Sequence, residues 1–268
     1  MTKEAFLFTG EDALNYEQYL GPILFEPASQ EFIKYLGNPN THSVLEISAG
    51  SGRLTRHLRK YFPSATDLVA SDISVDMLSV AEKQLAGESI EFRVADAQAL
   101  PFDNASFDLA ICQYGLMFLG DKQKGFNEAY RILKPGGRYI FSTWDSTESM
   151  PLLHIVFNET IIPFFREEDP ARFITPFSLY KSSQLVDFLT AAGFRNSRVV
   201  PVHFTSRSTV DNIVNGFLLK HPISRQVVSQ DPAALPILAE NMKNRITKEF
   251  GDGEISFELK SLIGIGEV

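Results

Sequence analysis

Apolar positions between Ser43 and Trp144 follow two alternating rhythms. Short runs of strand length stand at Val44-Leu45-Glu46-Ile47, Asp67 to Ile73, Ile90 to Ala95, Phe107 to Gln113 and Arg138 to Thr143. In the third of these, Ile90, Phe92 and Val94 alternate with polar residues, as a half-buried strand requires. Between the runs, apolar residues recur at helical spacing. Leu54, Leu58, Tyr61 and Phe62 lead up to Pro63, and Leu78, Ala81 and Leu85 follow a capping Ser74 and end near Gly87. Phe126, Ala129, Tyr130 and Leu133 follow a capping Asp121 and end at Lys134-Pro135-Gly136-Gly137. Strands alternating with helices of this length predict right-handed crossovers and a parallel sheet.

The remainder is less regular. Ser182-Ser183 predicts the cap of a helix with Leu185, Phe188, Leu189 and Ala192 inward and Gly193 as terminator. Val199 to Thr205 reads as a strand that Pro201 confines to an edge, and Ile255, Phe257 and Leu259 alternate in another. The expected fold is therefore α/β: a doubly wound, mostly parallel, seven-stranded Rossmann-like sheet with helices on both faces and helical lid insertions. With no repeat and no Gly/Ser/Pro linker, the expectation is one domain over residues 1–268. Its cofactor-binding core spans about 37–145, with a helical N-terminal segment at 11–36 and lid-like inserts at about 148–178 and 208–250. Breaks are expected at Pro222, Pro232 and Pro236 in the second insert.

Composition narrows the partners. The 268 residues carry 25 Lys plus Arg against 33 Asp plus Glu, a net charge of −8. That balance argues against nucleic acid or an anionic membrane as the main partner. One cysteine, Cys112, forms no internal disulfide and no multi-cysteine metal site, and inside a strand it reads as inert packing. The first residues do not resemble a secretory signal, and no uncharged apolar run of about eighteen residues exists. The expectation is a soluble cytoplasmic protein with a small-molecule partner and no membrane span.

In an open parallel sheet, ligands bind beyond the carboxyl ends of the strands. After the first run comes Gly50-Ser51-Gly52, where backbone can turn tightly and a ligand can approach without meeting a Cβ. After the second comes Asp72, placed to accept from ribose hydroxyls. After the third come Asp96, an acceptor for an exocyclic amine, and Ala97, whose N–H can donate to an adenine ring. After the fourth come Gln113 and Tyr114. A glycine loop with a second-strand acid fits a nicotinamide dinucleotide or S-adenosylmethionine. The dinucleotide fingerprint wants a glycine where this chain has Thr55, and it presents a helix terminus to a pyrophosphate. Glu46, an acid in the first strand, suits a cationic ligand better.

Val44-Leu45-Glu46-Ile47-Ser48-Ala49-Gly50-Ser51-Gly52 resembles motif I of the class I S-adenosylmethionine-dependent methyltransferases. Asp96 to Phe102, with Ser106-Phe107-Asp108, resembles the segment these enzymes carry at the adenine pocket. Arg131 to Gly137 resembles the turn before their fifth strand. The chain is most similar to the small-molecule branch that includes ubiquinone and menaquinone methyltransferases. The resemblance implies S-adenosylmethionine as cofactor, with Glu46 and the backbone around Ala49, Gly50 and Gly52 at its methionine part. It implies Asp72 on the ribose, Ile73 over one adenine face, Asp96 and Ala97 at the adenine edge, and Gln113 near the amino acid tail. Ser48 stands where the family carries Gly or Ala, and is expected among the cofactor-contacting residues, where it narrows the room near the methionine tail. Tyr19, or Tyr16, is expected as a lid.

Methyl transfer is an in-line displacement, so the protein supplies alignment and, for some acceptors, a base. The candidate bases are His154, in an insert rich in Phe, Ile and Leu, and His203, on the edge strand; His42, His57 and His221 are expected at the surface. The insert, from Leu152 to Phe165, reads as a helix on the sheet and as a wall for an apolar or aromatic acceptor. The alternatives are a nicotinamide-dependent oxidoreductase and a non-catalytic S-adenosylmethionine-binding protein.

Overall fold

Seven strands form one sheet in the computed structural model, which describes residues 8 and 10–268. They are β1 (Ser43–Ile47), β2 (Asp67–Asp72), β3 (Glu91–Val94), β4 (Phe107–Gln113), β5 (Leu133–Trp144), β6 (Arg195–Thr209) and β7 (Glu254–Glu267), in the order β3-β2-β1-β4-β5-β7-β6. β1 pairs in parallel with both β2 and β4, and β4 with β5. β7 runs antiparallel to β5, from Arg138↔Glu267 to Trp144↔Ser261. The expected mostly parallel, seven-stranded Rossmann-like sheet with helices on both faces is the one observed. The order of strands reverses between β1 and β4, which makes the ends of these two strands the switch point where ligands bind in such sheets.

Burial explains which runs became central strands. Val44, Leu45, Leu68, Ala70 and Leu109 to Cys112 are all nearly inaccessible, as expected for strands covered on both faces. β3 lies at the edge with only β2 beside it, and there the alternation fails to predict burial: Val94, expected inward, is 52% exposed. β6 occupies the opposite edge, where Pro201 and its missing N–H are tolerated.

The chain divides into two compact units. The sheet unit comprises Ala28–Asp145, Pro176–Val202 and Ser261–Val268. Its helices begin and end where the sequence has caps. Ser74 Oγ accepts from Met77 N at the start of the helix Val75–Gln84, and the Asp121 carboxylate accepts from Lys124 N at the start of Lys122–Ile132. Gly193, at φ +103°, ends the helix Ser182–Ala192 in the left-handed conformation that glycine adopts without strain. Ser182, however, is the first helical residue and not the cap; Lys181 holds the cap position without a side-chain bond. β5 also starts earlier than expected. Leu133 pairs with Phe107, and Lys134-Pro135-Gly136-Gly137 lies within an irregular stretch of the strand rather than before it.

The other unit comprises Met1–Pro27, Ser146–Thr175 and His203–Lys260, and is largely helical. Three of its helices, Tyr16–Phe25, His154–Ile161 and Asn215–Leu219, have the wide π turn. Pro22 sits inside the first, and the wider turn accommodates a residue that has no N–H and blocks an ordinary helical turn. Pro236, expected as a break, lies in the first turn of the helix Ala234–Phe250, where backbone N–H groups have no helical partner in any case. His221, expected at the surface, packs edge-on against Phe8 at 5.5 Å, and its Nδ1 accepts from Ile223 N. Beside it Arg225 clasps Asp12 through two bonds of 2.9 and 2.6 Å. Among the described residues no helix is long and apolar enough to cross a membrane, and no group of acidic, His or Cys side chains could hold a metal ion.

Candidate functional site

The site assembles in the sheet unit at the carboxyl ends of β1, β2 and β4 and just beyond β3. β1 ends at Ile47, and the chain turns through Ser48 to Gly52 into the helix Arg53–Tyr61. Ala49 N donates to Ser71 O, which ties the start of the turn to β2. The two glycines meet different needs. At Gly52, φ +84°, a Cβ would lie 3.0 Å from Ala81 Cβ and 3.1 Å from Leu85 Cδ1, so glycine there permits close packing on the neighbouring helix. At Gly50, φ +58°, a Cβ would meet only the tip of Met77, at 3.4 Å. Its open side leaves backbone accessible to a ligand.

Asp72 closes this turn. Its Oδ2 accepts from Gly50 N at 2.8 Å and its Oδ1 from Ser74 N at 2.8 Å, so one carboxylate joins the glycine turn to the start of the next helix. Burial pushes its pKa up, while the backbone donors of Ser74, Gly50 and Ile73 oppose the shift. Three backbone donors on about four acceptor sites leave the carboxylate room for a ligand hydroxyl. Next to it, Ile73 is 57% exposed and Val75 63% exposed, two large apolar side chains left open at a strand end.

Glu46 is deeper, only 1% exposed. Its Oε2 accepts from the Thr55 hydroxyl at 2.6 Å. Thr55 therefore has a role at the position where a dinucleotide site carries its third glycine. Burial is the main reason that the Glu46 carboxyl is pushed up to about 8; the Thr55 bond opposes this and the nearby Asp72 charge adds to it.

Asp96 and Ala97 follow β3 in a loop held from a distance. Asp96 Oδ1 accepts from Gln98 N at 2.9 Å, and Leu100 N donates to Glu128 at 2.7 Å. Arg131 then donates to the carbonyls of Phe102 and Leu100, at 2.7 and 2.9 Å, and pairs with Glu128 at 2.8 Å. In the sequence Arg131 stands only as part of a motif; in the fold it is the clamp on this loop. Lys134, in the same motif, serves the other end of the sheet. It pairs with Asp108 at 2.8 Å, and Asp108 accepts from Ser43 N at 2.9 Å.

At the end of β4, Gln113 Oε1 accepts from Ser29 Oγ at 2.9 Å, while its Nε2 is buried with no partner. Such a group costs free energy unless a ligand or water satisfies it. Tyr114 follows in a left-handed conformation, φ +55°, stacked on Trp144 at 3.9 Å with its hydroxyl 2.6 Å from Ser261 Oγ. Ser48 is also left-handed, φ +59°, and its side chain faces Gly115 and Cys112. Burial pushes the Cys112 thiol up to about 12, which fits inert packing.

Thus Glu46, Ala49, Gly50, Gly52, Asp72, Ile73, Asp96, Ala97 and Gln113 come together at one end of one sheet. Tyr19, His154 and His203 belong to the helical unit. Tyr19 is half-buried, its Cβ 3.1 Å from where a side chain at Gly216 would begin. Tyr16 is committed to a stack with Phe25 at 4.9 Å. His154 Nε2 lies 3.8 Å from Glu159 Oε1, with Nδ1 buried and unpartnered, and His203 is exposed on β6.

A glycine turn after β1, an acid after β2 and an acid-led loop after β3, on this strand order, are the arrangement of the class I methyltransferases, which the chain resembles in fold and in motifs. Residues 45–141 match the family model described as a methyltransferase domain. Within that class, the demethylmenaquinone methyltransferase of Clavibacter sepedonicus is 40% identical over 111 residues, 41% of this chain and 44% of the relative. The ubiquinone/menaquinone biosynthesis C-methyltransferase of Hahella chejuensis is 39% identical over 102 residues, 37% and 41% of the two chains. The chain thus spans less than half the length of these curated relatives. Among solved structures, Haemonchus contortus phosphoethanolamine N-methyltransferase 2, in complex with S-adenosyl-L-methionine, aligns with a TM-score of 0.60 at 19% identity, over 100% of this chain and 60% of that one. A putative methyltransferase from Bacillus halodurans aligns with a TM-score of 0.57 at 17% identity, over 89% and 97%. At these identities the structural likeness is one of fold.

Proposed function

We propose that the protein is an S-adenosylmethionine-dependent methyltransferase acting on a small, largely apolar or aromatic acceptor. The observation that carries this reading is the convergence of Glu46, Gly50, Asp72, Asp96 and Gln113 on the switch-point end of one sheet. The residues fit the cofactor. Gly50 leaves backbone open to its methionine part, the orphaned Gln113 Nε2 supplies a donor for a carboxylate, and exposed Ile73 supplies an apolar face for adenine. The buried Glu46 and the half-buried Asp72, neither with a basic partner among the described residues, suit a ligand with a positive charge.

The cofactor, when bound, supplies an electrophilic methyl group on a positively charged sulfur. The work of this chain is to hold and align. Asp72 accepts from the ribose hydroxyls, Asp96 and the Ala97 N–H read the adenine edge, and Gln113 and the turn from Ser48 to Gly52 hold the amino acid tail. Tyr19 is assigned to the lid. His154 is the stronger candidate base, with Glu159 beside its Nε2, and His203 is the second. A base is needed only where the acceptor loses a proton. The matched relatives are named for methylation of quinone precursors, which makes a quinone-type aromatic ring the first acceptor to test.

The reading is tested by titration calorimetry with S-adenosylhomocysteine, followed by transfer of a labelled methyl group from S-adenosylmethionine to demethylmenaquinone. Micromolar binding and label in the quinone are expected. No binding up to millimolar concentration, with quenching of Trp144 fluorescence by NADH instead, would replace it with the oxidoreductase reading.

A further inference from the structure

Glu46 and Asp72 form an unusual pair for the inside of a protein. Glu46 is fully buried and Asp72 half-buried at adjoining strand ends, the Asp72 charge acts on Glu46, and among the described residues neither pairs with Lys, Arg or His. Basic side chains of the neighbouring helix Arg53–Tyr61 have other partners. Arg56 donates to Gln84 at 2.6 Å, and Arg59 donates to the carbonyls of Thr66, Ser89, Phe62 and Pro63. The groups that reach Glu46 are the Thr55 hydroxyl from that helix, Asp72 from β2 and the Cys112 thiol from β4, none of which brings positive charge. A carboxylate in such a place is costly unless a cation arrives to pair with it.

We infer that Glu46 makes the site select for positive charge on the ligand: it stays protonated in the free protein, releases its proton to solvent when a cationic cofactor enters, and takes one back once the methyl group has left. The inference rests on the methyltransferase reading and adds charge selection to it. In the transfer, the carbon–sulfur bond breaks, its electron pair stays on sulfur and the methyl group goes to the acceptor. Sulfur becomes neutral, the reason for Glu46 to remain ionised disappears, and the site loosens its hold on the spent product. The carboxyl's value of about 8 in the free protein agrees with this.

The test is titration calorimetry of S-adenosylmethionine and S-adenosylhomocysteine between about pH 5.8 and 7.0, where the α-amino group of both ligands stays protonated. Each titration is run in two buffers of different ionisation heat, so that protons released are counted. The ratio of the two affinities is expected to move in favour of S-adenosylmethionine by about tenfold per pH unit, with release of about one more proton than for S-adenosylhomocysteine. In Glu46→Gln the ratio is expected to be independent of pH and the extra proton absent. Equal proton counts for the two ligands in the unsubstituted protein overturn the inference, and so does a pH-dependent ratio that survives in Glu46→Gln. If the variant does not fold, the proton count of the unsubstituted protein decides alone. If neither ligand binds, the methyltransferase reading fails and takes the inference with it; if both bind with equal proton counts, only the inference fails.

Discussion

Replacing Gly115 by alanine tests the packing at the junction of β1 and β4. The backbone there, φ −95° and ψ −34°, accepts any residue, so the effect of a methyl group is steric alone. That methyl would lie 2.4 Å from Ser48 Oγ, 2.5 Å from Ser48 Cβ and 2.9 Å from Cys112 Sγ. Overfilling a packed interior costs about 1–3 kcal/mol. Here the methyl is fixed to the main chain and two of the crowded atoms belong to a residue held at the end of β1, so about 2–3 kcal/mol is expected. Ser48→Gly removes both of those atoms. It also relieves the left-handed strain of Ser48, about 1–2 kcal/mol, against about 0.5–1 kcal/mol for the freedom glycine loses on folding. The single variant Ser48→Gly therefore stays within about 1 kcal/mol of the parent. In that background Gly115→Ala should cost about 1–2 kcal/mol less, the remainder coming from Cys112. Guanidinium unfolding midpoints at constant slope measure all four corners of the cycle. A Gly115→Ala loss under about 0.5 kcal/mol, or the same loss in both backgrounds, would refute the argument.

Three further outcomes follow from named contacts. Arg131→Gln should cost about 1–2 kcal/mol of stability, speed hydrogen exchange at Leu100 and weaken S-adenosylhomocysteine binding, since the loop carrying Asp96 and Ala97 loses its clamp; unchanged exchange at Leu100 would remove Arg131 from that role. Glu46 binds its proton more tightly folded than unfolded, so the ligand-free protein should lose stability as pH rises from about 5 to about 8, by on the order of 3 kcal/mol, and Glu46→Gln should flatten the curve. His221 has the opposite sign. Burial is the main reason that its pKa falls to about 4, so the folded state holds fewer protons than the unfolded one and stability is lost as pH falls from about 6.5 towards 4. Thermal melts across pH 4–8 of the parent and His221→Asn check this, and an equal acid slope in both would contradict it.

The sheet and the strand-end residues were legible because both are local signals. Each central strand is largely buried and reads as a short, mostly apolar run, and Gly50, Asp72, Asp96 and Gln113 stand where those runs stop or just beyond. Capping by Ser74 and Asp121 was legible for the same reason, since the partners are three residues away. Long-range dependence hid the rest. Arg131 reaches carbonyls about thirty residues back in the chain, and no spacing rule announces that. His221 is enclosed by Phe8, which lies more than two hundred residues earlier. No periodicity announces the wide-turn helices, of which only Tyr16–Phe25 contains a proline. Division into two units interleaves three stretches of each along the chain, so no linker marks it. Ser48 is the instructive case. Its motif position was legible, but not that its left-handed backbone turns the side chain towards Gly115 and Cys112, which leaves the main chain for the proposed ligand contact.

The most direct measurement is a crystal structure of the protein with S-adenosylhomocysteine bound. Ribose hydroxyls within hydrogen-bond distance of the Asp72 carboxylate, and adenine against Ile73, Asp96 and Ala97, are the predicted result. Nucleoside density at any other place on the chain, or none in crystals that tolerate millimolar ligand, would contradict the account.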